Sequence, residues 1–284
     1  MTATMTNDPV SVVPKCAELE TWEAFEGVLK NLRQNLSDQS NLPLLFRGQS
    51  NSCRKLETTL ERHKKRGMLF KDYCHIIYTS RREIETFTGN QWTIPEYPEI
   101  ETLVQNYDPF SLSLTFGPRP AYDYMIYLRH HGFPSPLLDW TRSPRVAAYF
   151  AFRNAVDNGR ASIYVLSARK FKLGSNGVPD VHRLGPYVKA HQRHFLQQSD
   201  YTMCLVFNKD NEWRFSEHDD VLRGEDTSQQ RFRNFDLWKF NISSAERLHV
   251  LRKAHPAVPG WSICSMKAPC AGDRRREREG IWGG

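Results

Sequence analysis

Two short stretches of this chain hold residue types able to bind and polarise an anionic substrate. The first is Phe46-Arg47-Gly48-Gln49, in which an arginine closes an apolar run and a glycine follows at once. A planar, permanently charged guanidinium there can clamp a phosphate or carboxylate, and a glycine beside it lets a ligand lie against the main chain. Pairing of Arg47 with an internal carboxylate is an equally good reading of the same spacing. The second stretch is Asp139-Trp140-Thr141-x-Ser143. It falls where an extended segment meets a helix start, so hydroxyls and free amides converge there and anions or sugar hydroxyls dock. Capping of the next helix by Asp139 or Ser143 accounts for it as well. His130 and His131 precede this stretch. As adjacent residues they cannot share a face, so they are poor joint metal ligands; one is expected to pack and the other to face the site.

The elements that must position these residues read as follows. Trp22, Phe25, Val28, Leu29 and Leu32 recur at helical spacing, which predicts a helix over 18–36. Pro43 to Arg47 reads as a buried strand, and 69–87 as a second helix. The segment 88–120 is rich in Pro, Asn and Gly and reads as a long irregular connection, a candidate lid. A helix from Tyr122 to His130 leads into Gly132-Phe133-Pro134-Ser135-Pro136, where two prolines forbid helix. Leu137 to Trp140 is strand-like, and Ser143-Pro144 starts a helix to about Asn154 whose Val146, Ala147, Tyr149 and Phe150 pack inward. Strands follow at 161–166, 202–207 and 237–242, and Ser243-x-x-Glu246 reads as a capping box opening a helix to Arg252. Strands and helices mix without regular alternation. The fold class is therefore α+β, a single domain with a mixed or antiparallel β core flanked by helices.

Composition bounds the function. The 284 residues, 39% hydrophobic and 12% aromatic, suffice for a sizeable core. Without a membrane-length apolar run or a signal-peptide pattern, a cytoplasmic location and no membrane partner are expected. Six scattered cysteines form no C-x-x-C pair, so reduced thiols and no metal site are expected. A net charge of +7 admits a nucleic-acid partner, but the basic runs are short and partly balanced, which suits a solvated face. No Gly-rich phosphate loop, H-E-x-x-H or G-x-S-x-G is present, which removes weight from kinase and hydrolase readings.

Phe46-Arg47-Gly48-Gln49-Ser50, then Leu56-x-x-Thr59-Leu60-x-Arg62-His63, then the run from Leu128 to Ala151 that includes His130-His131-Gly132-Phe133-Pro134-Ser135-Pro136-Leu137-Leu138-Asp139-Trp140-Thr141, resemble the FRG-domain family. A weaker block, Arg193-x-x-x-Gln197-x-Ser199-x-Tyr201-Thr202, is similar to a third motif of that family. The domain is expected over 18–255, with a disordered leader at 1–15. The segment 256–284 departs from the family pattern and is expected to be a disordered tail.

The order of motifs is also similar, more distantly, to that of Arg-Ser-Glu type ADP-ribosyltransferases. That resemblance implies an ADP-ribosyltransferase-like fold and NAD as substrate, with no tightly bound cofactor. It implies transfer to a protein or nucleic-acid acceptor, as in a bacterial toxin or phage-defence effector. In that comparison Arg47, Asp139, Thr141 and Gln197 are the catalytic candidates, with Gln197 in the place of a glutamate; either Asp139 or Asp200 supplies the missing charge, or transfer is slow or aimed at an acceptor that needs no base, or the site binds NAD without turnover. Phe46, Gly48, Gln49, His130, His131, Trp140, Ser143 and Arg193 are the substrate-binding candidates. A nucleotide- or nucleic-acid-binding module without catalysis is the competing expectation, and a domain whose motifs only organise the core is a third.

Overall fold

The computed structural model describes residues 13–36, 43–63, 67–92, 121–168, 179–184, 198–208, 212–219 and 235–254, with 94, 96, 98, 99, 102, 177 and 210. The expected leader (but for 13–15), most of the candidate lid, Arg193, Gln197 and the segment 255–284 lie outside the described residues.

The described elements are β1 (Cys16–Leu19), α1 (Trp22–Leu36), β2 (Leu45–Gln49), α2 (Thr59–Arg62), α3 (Phe70–Thr88), α4 (Tyr122–His130), β3 (Leu137–Thr141) and α5 (Pro144–Arg153). They continue with β4 (Arg160–Ala168), β5 (Asp180–Arg183), β6 (Ser199–Phe207), β7 (Trp213–Phe215), β8 (Phe235–Ser243), a 3-10 turn (Ser244–Glu246) and α6 (Arg247–Ala254). The eight strands form one sheet in the order β1-β8-β4-β2-β3-β6-β5, with β7 also on β6. Every pairing is antiparallel except β1 with β8. The expected α+β single-domain class is what the chain adopts.

Alternation along the strands assigns the two faces of the sheet. Phe46, Ile163, Val165, Trp238, Phe240 and Ile242 point to one face and bury against α1, α5 and α6. At the other end of that face, Leu137, Tyr201 and Met203 bury against α3 and α4. Leu45, Leu138, Trp140, Tyr164, Leu166 and Leu237 point to the opposite face, where Leu56 covers them.

Local chemistry sets most element ends. The Ser143 hydroxyl accepts from the Val146 amide at 3.3 Å and Pro144 occupies the first helical position, as the sequence predicts. The predicted start of the first helix moves. Cys16–Leu19 is drawn into the sheet beside β8, so α1 begins only at Trp22. The expected capping box at Ser243 is half made: Ser243 accepts from the Ala245 amide, but Glu246 turns away to accept from the Trp22 amide at 3.1 Å and caps α1 instead. A full capping box forms where none was predicted, between Thr58 and Glu61 at α2.

Candidate functional site

β2 and β3 are neighbours, yet they share one registered pair, Phe46 with Thr141. Each runs five pairs with its other neighbour, β2 with β4 and β3 with β6. The two strands part just beyond that pair and leave a slot between Arg47-Gly48 on one side and Asp139-Trp140 on the other. A cavity of about 650 Å³ occupies it, within the usual range for small-molecule sites. Phe46, Arg47, Gly48, Gln49, Asp139, Trp140 and Thr141 all line it. The two motifs, 92 residues apart, thus share one cleft.

Asp139 lies on the helix-covered face, where α4 brings Arg129 to it. Arg129 Nε donates to Oδ1 at 2.5 Å and Nη2 to Oδ2 at 2.6 Å, a fork on both oxygens. The Asp139 side chain is still 45% exposed, since it is open to the cavity. Burial acts to raise its pKa. The charge and hydrogen bonds of Arg129, with lesser help from Arg47 and His130, outweigh burial and hold it below the usual carboxylate range. Asp139 is therefore ionised at neutral pH.

Arg47 starts from the opposite face and reaches across the gap, where Nη1 donates to the main-chain oxygen of Asp139 at 2.6 Å. Its Nε is enclosed with no hydrogen-bond partner among the described residues. Burial pushes its pKa down to about 10, which leaves it charged at neutral pH. Arg47 takes no carboxylate as an ion-pair partner among the described residues, so the internal-pairing reading holds only as far as a backbone carbonyl.

Gly48 is explained by α5 rather than by a ligand. A Cβ there would meet Ala147 O at 1.9 Å and Ala151 N at 2.6 Å, so the glycine lets the helix backbone lie directly on β2. Gln49 lines the cavity while its amide donates to the carbonyls of Arg54 (2.8 Å), Lys55 and Asn51, which fixes the following loop. Ser143 is spent on its cap and does not line the cavity. The Thr141 hydroxyl accepts from the Ser143 amide at 3.1 Å. Neither histidine lines the cavity: His131 stacks on Tyr127 at 4.2 Å, and His130 Nε2 lies 3.2 Å from Tyr201 Oη. Phe150, expected to pack inward, is 39% exposed at the mouth. Asp200 is fully buried and held by Arg183 at 2.5 and 2.9 Å, so it cannot supply charge to the slot; that leaves Asp139.

Sequence reasoning assigned no role to Arg54, Lys55 and Arg62, which line the same cavity. None of them has a carboxylate partner among the described residues. Several other cations do have one: Lys15 pairs with Asp236, Lys71 with Glu212, Arg160 with Glu18 and Lys253 with Glu23. Arg62 is positioned by α2, which is clamped to the Pro-Ser-Pro segment: Ser135 N donates to Thr59 Oγ1 at 2.8 Å and Leu60 N to Ser135 O at 3.1 Å. Four cations against Asp139 and Glu57 make the cavity electropositive, suited to a ligand bearing phosphate. The one group of potential metal ligands close enough together among the described residues, Glu23, Glu246 and His249, lies away from the slot, and Lys253 already holds Glu23 at 2.6 Å.

A family model described as FRG domain matches residues 43–160, which contain β2, β3, α5 and most of the cavity wall. This segment is an FRG domain. No curated protein and no solved structure matches the chain. Among the described residues no helix is long and apolar enough to cross a membrane.

Proposed function

We propose that the slot of this FRG domain binds NAD and that the protein transfers ADP-ribose from it to a macromolecular acceptor, in the manner of a toxin or phage-defence effector. One observation carries the reading. A charged arginine and an ionised aspartate open to solvent face a single cavity of nucleotide size, and neither that arginine nor the three further cations on the rim has a carboxylate ion-pair partner among the described residues. In this reading Arg47 and the rim cations Arg54, Lys55 and Arg62 take the diphosphate, and Phe150, exposed at the mouth, offers ring surface to a base while the buried Trp140 forms part of the wall behind. Cleavage of the nicotinamide–ribose bond builds positive charge on the ribose, and Asp139, on the slot wall across from Arg47, is the carboxylate that stabilises it in this reading. The defence or toxin role and the choice of acceptor rest on the resemblance to ADP-ribosyltransferases alone.

A second reading, a nucleotide- or nucleic-acid-binding module without turnover, is favoured by the Arg129–Asp139 fork. Both carboxylate oxygens are already engaged by a guanidinium, which weakens the field that Asp139 can exert on a developing cation. Nicotinamide release from NAD, followed chromatographically, separates the two. Release by the wild type that is lost in Arg47→Ala sustains the transferase. Absence of release, together with salt-sensitive RNA or DNA binding that survives Arg47→Ala, leaves the binding module.

A further inference from the structure

Behind Arg47, on the face of the sheet away from α5, two enclosed polar groups have no role in the site as described. Tyr164 stands opposite Arg47 across the β2–β4 pair, so the two side chains are neighbours on one face. Tyr164 is fully buried, and its hydroxyl has no hydrogen-bond partner among the described residues. His218, 1% exposed, belongs to the segment that Asp219 ties to the Leu56 amide beside the rim loop. Its Nδ1 is likewise enclosed without a partner.

A short chain of hydrogen bonds fixes which nitrogen of His218 carries the hydrogen. Trp140 Nε1 can only donate, and it donates to Thr202 Oγ1 at 2.7 Å. Thr202 Oγ1 lies 2.9 Å from His218 Nε2 and has no other acceptor among the described residues for its hydroxyl hydrogen. That hydrogen goes to Nε2, so the neutral imidazole carries its own hydrogen on Nδ1. Burial and the charge of Arg47 push the His218 pKa down to about 3, which keeps the ring neutral at physiological pH. Arg47 Nε–H, Tyr164 Oη–H and His218 Nδ1–H are then three enclosed donors without an acceptor among the described residues; Tyr164 neighbours Arg47 across the strand pair, and the Arg47 charge acts on both rings. Enclosed donors left unpaired are costly and uncommon in a folded core, and they mark a place built for something else.

We propose that Arg47 Nε, Tyr164 Oη and His218 Nδ1 form the inner anion subsite of the slot, which takes an anionic oxygen of a phosphoryl group. Tyr164 and His218 are its specificity-determining residues, because a donor-only pocket rejects any group that must itself donate. Tyr164 and His218 do not themselves line the cavity; Arg47, which lines it and neighbours Tyr164 across the strand pair, is the point of entry. The proposal rests on the reading that a phosphate-bearing ligand enters the slot, but it does not require turnover.

The test is calorimetric titration of the full-length protein with inorganic pyrophosphate and with ADP-ribose, together with thermal melts of the unliganded variants. Tyr164→Phe deletes one hydroxyl, which has no partner among the described residues, and nothing else. It is expected to leave the melting temperature of the free protein unchanged or higher while weakening both ligands about tenfold, as for loss of a hydrogen bond to a charged group. His218→Asn, which keeps an N–H near the Nδ1 position, is expected to bind better than His218→Leu. Affinity unchanged in Tyr164→Phe overturns the subsite, and so does a wild type that binds neither ligand. Pyrophosphate binding weakened by Tyr164→Phe in a protein that releases no nicotinamide sustains the subsite and removes the transferase reading.

Discussion

Replacing Gly48 with alanine puts a methyl group where the α5 backbone already lies. The new carbon would sit 1.9 Å from Ala147 O and 2.6 Å from Ala151 N. Ordinary contact needs about 3.4 Å, so α5 must retreat from β2 by roughly 1.5 Å, and both obstacles are main-chain atoms that no rotamer change can move. Retreat unpacks Ala147, Ala148 and Ala151 from Phe46 and Val165, all of them buried now. Overpacking of this kind costs about 1–3 kcal/mol where side chains can yield, and the upper end or more is expected where they cannot. For a chain of this length about 3 kcal/mol corresponds to a fall in melting temperature of roughly 6–12 °C. A thermal melt of the unliganded Gly48→Ala protein measures it. Had the glycine served only to let a ligand approach, the free protein would melt as the wild type does and only binding would suffer. That result would refute the packing argument for the motif glycine.

Two further outcomes follow from the electrostatics. Glu61 is 6% exposed, and burial raises its pKa to about 7 against the stabilising hydrogen bonds from Thr58. Its folded-state pKa is above its unfolded value near 4.5, so its contribution is intact below about pH 4.5 and stability is lost as pH rises toward 7, on the order of 3 kcal/mol in all. Glu61→Gln, which can still accept from the Thr58 amide, should match the wild type near pH 4.5 and out-melt it at pH 8; equal melting at both pH values would exclude the burial penalty. Asp139→Asn leaves Arg129, whose side chain is 10% exposed, without its counter-charge. Because the carboxylate is partly open to solvent, the cost is expected at about 1–3 kcal/mol, below the range for fully buried pairs, and denaturant titration giving no loss would show that the fork is not a structural pair.

Much of this arrangement was legible in the chain because it is written locally. Tyr122–His130 ends where Gly132 and two prolines stop a helix, and α5 begins where Ser143-Pro144 says it must. The strands β1, β5 and β7 were missed. They are three or four residues long, and β1 is extended only because β8 lies beside it, a partner 223 residues away. Within the site, the meeting of Arg47 and Asp139 could be anticipated from the family motifs, but the division of labour could not. Whether a glycine serves a ligand or a helix depends on what lies above it, and whether Ser143 caps or binds depends on its rotamer. Arg54, Lys55 and Arg62 were visible as charges. What distinguishes them from a solvated face is that they line one cavity together with Arg47, a property of the assembled surface that one-dimensional spacing does not carry.

The slot itself follows from two attachments that pull its walls apart. Gly48 lets α5 seat β2 firmly on the helix side, and the Arg129 fork ties the Asp139 end of β3 to α4. Between walls so anchored, the strands cannot zip beyond Phe46 and Thr141. Arg47 bridges the gap through one bond to a carbonyl, and a carbonyl is a weak partner for a full positive charge. Asp139, which could have neutralised it, has both oxygens committed to Arg129. With its pKa at about 10 the guanidinium remains charged at neutral pH, in surroundings too enclosed for water to hydrate it fully. An anion entering the slot meets a charge whose desolvation was completed during folding, and that is what makes an arginine at a parted strand edge a binding residue rather than one more surface cation.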